Sequence, residues 1–258
     1  MDTDTRYEVK DSIATITLAR PEKRNALTVQ MRVDLTEYFE RAGADRDVRV
    51  VLLRAEGPGF CAGADVGAMS DLTLPETRHR MQLVHRLMLN LHYIDKPVIC
   101  AVRGHCVGLG FSLALACDHI IASPTAKFGM VFKKLGLAPD GGALYFLARS
   151  LGVARAKELI FSARMLEAAE AQSIGLVQRV VPDDQLDAAA ADWAREYASG
   201  PTYALGLGKR LFDTANSPSL ETFLQTEQLT QAHLTGTHDH KEGVAAFREK
   251  RTAKFLGC

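Results

Sequence analysis

The chain has no surplus of charge: 31 Lys and Arg are balanced by 31 Asp and Glu in 258 residues. No global positive field is present to hold nucleic acid or an anionic membrane, so an anionic ligand must be met by a local patch. A long apolar run is also missing, since none approaches the ~20 residues of a membrane helix. The first residues, MDTDTRYEVKD, are too polar and acidic for a signal peptide or an Arg-rich transit peptide. The five cysteines (Cys61, Cys100, Cys106, Cys117, Cys258) form no C-x-x-C pair and no metal-ligand spacing. The pair His238 and His240 in THDHKE reads as an exposed helix start rather than a metal site. The expectation is a cytoplasmic protein with no metal, no cofactor of its own, no nucleic-acid partner and no membrane. A 47% hydrophobic and 24% charged composition adds that the chain is globular, neither disordered nor a low-complexity array.

What is present is an alternation of strands and helices. SIATITLAR (12–20) alternates as a half-buried strand does, and VRVVLLRAEG (48–57) is a β-branched run ending at glycine. Between them, Met31, Leu35, Tyr38 and Phe39 recur at helical spacing, with Thr28 placed as N-cap and Gly43 as the stop. The pattern repeats through the strands PVICAVRG, HIIAS, AKFG and LVQRVVP and the helices GLGFSLALACD and GGALYFLARSLG. From Asp183 onward four segments read as helices, the last being KEGVAAFREKRTAKF (241–255). The division expected is an α/β portion over 1–200 and a helical region over 201–258. VGAMSDLTLPETRHR (66–80) mixes Gly, Ser, Asp and Pro and reads as a loop that forms a pocket wall.

Two glycine-punctuated turns stand out: GPGFCAGAD (57–65) and GHCVGLGFS (104–112). Backbone N–H groups at such turns either serve tight packing or, if the two turns face one another, grip one anionic oxygen. A dinucleotide site is disfavoured, because the third glycine of G-x-G-x-x-G and the later acidic residue are both missing. Asp140 in APDGG has two readings from local sequence, a helix N-cap or a chemically active carboxylate. Cys61 and His105 read as packing and turn residues. Met69, Leu72, Met81, Leu83, Val107 and Phe132 are candidates to line an apolar pocket.

RPEKRNAL, GFCAGADV, AVRGHCVGLGFSLALACDHIIAS, AKFGMVFKKLGLAPDGGALYFLARSLG and EGVAAFREKRTAKF, in this order and spacing, resemble the successive signatures of the enoyl-CoA hydratase/isomerase (crotonase) family. The resemblance covers essentially the whole chain. Within the family, AKFGMVFKKLGLAPDGG is most similar to the 1,2-epoxyphenylacetyl-CoA and Δ3-Δ2-enoyl-CoA isomerase members. It implies an α/β spiral of repeated ββα units followed by a C-terminal helical trimerisation region, in a homotrimer or a hexamer built as a dimer of trimers. It also implies an acyl-CoA thioester as substrate, coenzyme A entering only as part of it. The thioester oxygen would sit between the N–H groups of Ala64 and Leu109, where Leu109 departs from the usual glycine. Coenzyme A contacts fall on Lys23, Arg24, Ala26, Ala62 and Asp65. By the family pattern Phe247 and Lys250 would reach in from the C-terminal helices, this chain's own or a neighbour's. The basic clusters Arg20, Lys23, Arg24 and Arg248, Lys250, Arg251, Lys254 suit phosphates on an otherwise neutral chain.

Hydratases of this family use two glutamates to activate water, and at the matching positions this chain has Ser112 and Phe132. Neither is a carboxylate base. Asp140 remains, at a position where isomerases of the family carry an acid. The resemblance therefore implies an isomerase in which Asp140 moves one proton while the N–H pair holds the enolate. Partial desolvation would raise its pKa and strengthen it as a base. The alternatives are weak hydration, an Asp140 nucleophile as in family dehalogenases or hydrolases, and acyl-CoA binding without turnover.

Overall fold

Val50–Ala55 is a run of β-branched and aliphatic residues, and all but Arg54 are buried. Such a strand is stable only with both faces covered, which is the circumstance of a parallel sheet. The computed structural model describes residues 4–65, 67, 73–215 and 219–258. It opens with β1 (Thr5–Lys10) and β2 (Ile13–Leu18), followed by α1 (Val29–Ala44) and β3 (Val50–Ala55). Next come α2 (Leu74–His92), β4 (Val98–Val102), β5 (His105–Val107), α3 (Leu109–Leu115), β6 (His119–Ala122) and β7 (Lys127–Gly129). Then α4 (Ala143–Leu151), α5 (Val153–Ser162), β8 (Leu166–Glu167), α6 (Ala168–Ser173) and β9 (Arg179–Val180) complete the α/β portion.

The larger sheet runs β1-β2-β3-β4-β6-β9, with β1 antiparallel to β2 and every later pair parallel. A smaller sheet, β5-β7-β8, stands beside it. One face of the large sheet joins the main core with α1, α2, α3 and α4, through residues such as Ile16, Leu35, Leu53, Leu87, Phe111 and Leu147. The other face, Ile13, Val50, Leu52, Ile99 and Ile121, is covered by Leu186, Ala190, Trp193 and Ala194 of α7 (Leu186–Ala198). For this reason β2 is buried on both faces, Thr17 included, rather than half-buried as its alternating pattern predicts.

Thr28 caps α1 as expected, its hydroxyl accepting the Met31 N–H at 3.1 Å. The helix runs one residue past Gly43. Two other expectations are corrected. Of the stretch read as a loop over 66–80, residues 74–80 are the first turns of α2, set by a capping box: the Thr73 hydroxyl accepts from the Glu76 N–H and the Glu76 carboxylate accepts from the Thr73 N–H. Pro75 in the first turn fits that start. Met69 and Leu72 lie outside the described residues. The strand expected over LVQRVVP shrinks to two residues, because Leu176 and Val177 donate their N–H groups to the Ala171 carbonyl instead of a ladder.

The C-terminal helices are α8 (Thr202–Thr214), α9 (Leu220–Leu234) and α10 (His238–Glu249). The helix expected to continue to Phe255 stops at Lys250, which is left-handed (φ 52°). The last residues then run back extended along α10. Asp239, 4% exposed, accepts the Leu256 and Gly257 N–H groups at 2.7 and 2.8 Å, and Glu242 accepts from Lys254. Arg49, at the start of β3, donates to the carbonyls of Gly200 and Phe255. Asp239→Ala is expected to remove roughly 1.5–3 kcal/mol of local protection, the worth of hydrogen bonds to a charged group. Hydrogen exchange at Leu256 and Gly257 reads this directly, and exchange as slow as in the parent protein would contradict it.

Candidate active site

The site forms where β3 and β4 release the chain at the same end of the sheet. After Ala55 the backbone turns through 56–65, held from below by Asn25. This asparagine is fully buried and in a left-handed conformation (φ 54°). Its amide donates to the carbonyls of Glu56 and Gly59 at 2.9 and 3.0 Å, and its side-chain oxygen accepts the Arg20 N–H. The turn is pinned a second time by Leu27, whose N–H donates to the Gly63 carbonyl and whose carbonyl accepts from the Asp65 N–H. Ala64 lies between those bonds, and its own N–H takes no part in either.

The second turn, Gly108–Leu109, enters α3. Leu109 is the first helical residue, so its N–H has no acceptor within the helix. A Cβ on Gly63 would stand 3.1 Å from the Val107 carbonyl and 3.6 Å from the Leu109 N, so the two turns lie against one another. The Ala64 and Leu109 amides are thus presented from adjoining turns, the arrangement an oxyanion hole needs. The Leu109 side chain, 1% exposed, folds over Gly141: a Cβ built there would meet Leu109 Cδ1 at 2.7 Å and Ser112 Cβ at 2.9 Å. Gly141 also has φ +61°, so the turn admits no side chain on either count.

Asp140 sits immediately before that glycine. It does not cap α4: the N-cap is Gly142, and no side chain bonds there. Instead, Asp140 Oδ1 is buried without a hydrogen-bond partner among the described residues. Burial pushes its carboxyl above the usual carboxylate value, while the Arg32 guanidinium and then His85 pull it back. Phe132 is buried with its ring beside Gly108, whereas Leu137 and Ala138 face solvent. Ser112 is fully buried, and its hydroxyl donates to the Asp140 carbonyl at 2.9 Å and lies 3.3 Å from that of Gly108. It therefore positions the acid's backbone.

Over 250 of the 258 residues, 8–257, the chain matches the family model described as Enoyl-CoA hydratase/isomerase. The chain belongs to this family. It is 38% identical over 257 residues to 1,2-epoxyphenylacetyl-CoA isomerase of Escherichia coli, covering 96% of this chain and 97% of that protein. It is 34% identical to the human mitochondrial methylglutaconyl-CoA hydratase, covering 97% of this chain and 75% of the other. The crystal structure of enoyl-CoA hydratase from Bacillus anthracis superposes with a TM-score of 0.94 at 32% identity, over 99% of this chain and 100% of that one. The mixed α/β spiral with its helical C-terminal region is the fold of this family.

The residues named for coenzyme A in family terms divide into two groups. Lys23 and Arg24 are exposed on the turn that precedes Ala26, and Ala62 donates its N–H to the Arg24 carbonyl at 2.9 Å. Asp65 is adjacent, but its carboxylate is engaged by Arg20 at 2.7 Å and by the Gly67 N–H, which hold it below the usual range. Phe247, 87% exposed, lies on α10, and Lys250 is the residue that ends it. The tail behind α10 is tied to Arg49 at the start of β3, whereas the Ala64 turn follows its end, and the six residues between span ~20 Å. Cys61 is buried, its thiol pushed up to about 12 chiefly by burial, and Sγ donates to the Asn25 carbonyl, so it packs rather than reacts. Two residues went unnoticed in the sequence. Asn25 carried a signal, as the polar residue within RPEKRNAL; Arg32 carried none, because its helical position is unremarkable until the fold buries it.

No helix among the described residues is long and apolar enough to cross a membrane.

Proposed function

We propose that the protein is an enoyl-CoA isomerase that moves a double bond of an acyl-CoA thioester from the 3,4 to the 2,3 position. The observation that carries this reading is a half-buried carboxylate, Asp140, whose Oδ1 is enclosed without a hydrogen-bond partner among the described residues, at a site where Ser112 and Phe132 replace the water-activating glutamates of the hydratases. Relatives of both reaction types resemble the chain, so the choice rests on these side chains. Asp140 accepts the proton from C2 as the C2–H electron pair moves toward the thioester carbonyl. The resulting enolate oxygen lies against the Ala64 and Leu109 N–H groups. Collapse of the enolate takes the same proton back at C4 and leaves the 2,3 double bond. No water is consumed, and Phe132 helps to keep it out. Lys23 and Arg24 meet the phosphates of coenzyme A at the rim.

Phe247 and Lys250 complete the binding site of a neighbouring subunit in a homotrimer, or in a hexamer of paired trimers. Large exposed apolar residues on the C-terminal helices, Phe212, Leu220, Leu229 and Phe247, suit such burial. The test supplies a 3-enoyl-CoA and crotonyl-CoA side by side and follows ultraviolet absorption of the conjugated thioester. Faster appearance of conjugated product from the first than hydration of the second is expected. The reverse order would replace this reading with a hydratase.

A further inference from the structure

Arg32 stands out among the buried polar residues. It projects from α1 and is 2% exposed, yet no carboxylate bonds its guanidinium among the described residues. Nη2 donates to the Leu27 carbonyl at 3.0 Å, and Nε is buried without a partner among those residues. A guanidinium so enclosed is costly unless its charge is used.

Its one side-chain hydrogen bond among the described residues is informative. The Leu27 carbonyl that Arg32 clamps also accepts the Asp65 N–H, and the Leu27 N–H holds the Gly63 carbonyl. Arg32 therefore braces, from inside the protein, the strand that presents Ala64. The turn it braces abuts the Leu109 turn at Gly63, and Leu109 packs on Gly141 beside Asp140, so Arg32 and Asp140 belong to the same end of the site. The groups acting on it are Arg80 from α2, then Asp140, Cys61 and Asp65. Of the acids, Asp65 is already paired with Arg20, and the buried Cys61 holds its proton. That leaves Asp140, whose Oδ1 likewise has no partner among the described residues. On Asp140 itself the acting charges are Arg32 from α1 and His85 from α2, while α3 supplies only the neutral Ser112.

We propose that Arg32 is a positioning residue of this site: it locks the turn that carries the Ala64 amide and sets a fixed positive charge opposite Asp140. The role of Asp140 as base rests on the isomerase reading, but the electrostatic pairing does not. Burial alone shifts Asp140 toward the protonated form, which cannot accept a proton. A cation held by the scaffold, short of a direct ion pair, lets the carboxylate ionise and still leaves an oxygen open to a substrate proton.

Three proteins separate charge from packing: the parent, Arg32→Gln, which keeps a donor for Leu27, and Arg32→Lys, which keeps the charge. Carbon-13 NMR of Asp-labelled protein follows the Asp140 carboxyl, assigned by its loss in Asp140→Asn, alongside the pH profile of kcat/KM on a 3-enoyl-CoA. In Arg32→Gln the Asp140 titration is expected to move to higher pH, with kcat/KM on the acid side falling about tenfold relative to its alkaline plateau. Arg32→Lys is expected to restore both. An unchanged Asp140 titration in Arg32→Gln would overturn the proposal. So would a Lys variant whose Asp140 titration is displaced from the parent's, a comparison that needs no folded Gln variant. If the titration moves as expected but no protein converts the 3-enoyl-CoA, the isomerase reading fails and the Arg32 inference stands.

Discussion

Asp140→Asn is expected to lower the isomerisation rate by about 10²–10⁴, the range for losing a positioned base, and to raise the melting temperature at neutral pH. Both effects come from one cause. Burial raises the Asp140 carboxyl above its ordinary value of 3.8, so the folded protein holds the neutral form more comfortably than the charged one. Its favourable contribution is complete below the unfolded value and is lost as pH climbs through the higher folded value. The Asn variant has no such charge to develop. Its advantage should be absent in acid and grow across that window, appearing as roughly 2–4 °C per kcal/mol in a chain of this size. Thermal melts from acid to pH 8, run beside the kinetic assay, test the pair. A variant as fast as its parent would end the catalytic role. A variant whose advantage over its parent is no larger at pH 8 than in acid would end the electrostatic one.

Leu109→Ala should cost about 2–5 kcal/mol in unfolding free energy, the usual toll for a buried leucine. It should also reduce kcat by about 10², the size of effect that a small misplacement of a reacting group produces. The amide that faces the substrate oxygen is untouched, so KM should move little. What changes is the support under Gly141, against which Leu109 Cδ1 packs, and with it the placement of Asp140. Denaturant melts and steady-state kinetics give both numbers. A rise in KM with kcat preserved would show that Leu109 shapes binding alone.

Much of this was legible in the sequence. The central strands, the Thr28 cap and the glycine turns follow from local patterns of the kind that survive folding. The family signatures placed Ala64, Leu109 and Asp140 where two turns and a helix entry converge. What was hidden depends on partners far along the chain. That β2 is buried on both faces follows from α7, more than 160 residues later. The choice between cap and free acid at Asp140 turned on one backbone detail, the position of Gly142. Arg32 looked like any residue on a helix face until α2 and the Asn25-held turn enclosed it. The start of α2 was different: T-L-P-E is a capping signature, and the Gly, Ser and Pro around it masked it.

The bond from Ser112 to the Asp140 carbonyl bears on how one scaffold came to run different reactions. Position 112 is fully buried, and its Cβ lies so near Gly141 that a longer side chain there would strike the turn carrying the acid. A glutamate at 112 would press on the backbone that carries Asp140. On the isomerase reading, a water-activating glutamate at 112 would therefore displace the acid at 140. A graft of Ser112→Glu into this chain should dislodge its native chemistry before it installs another.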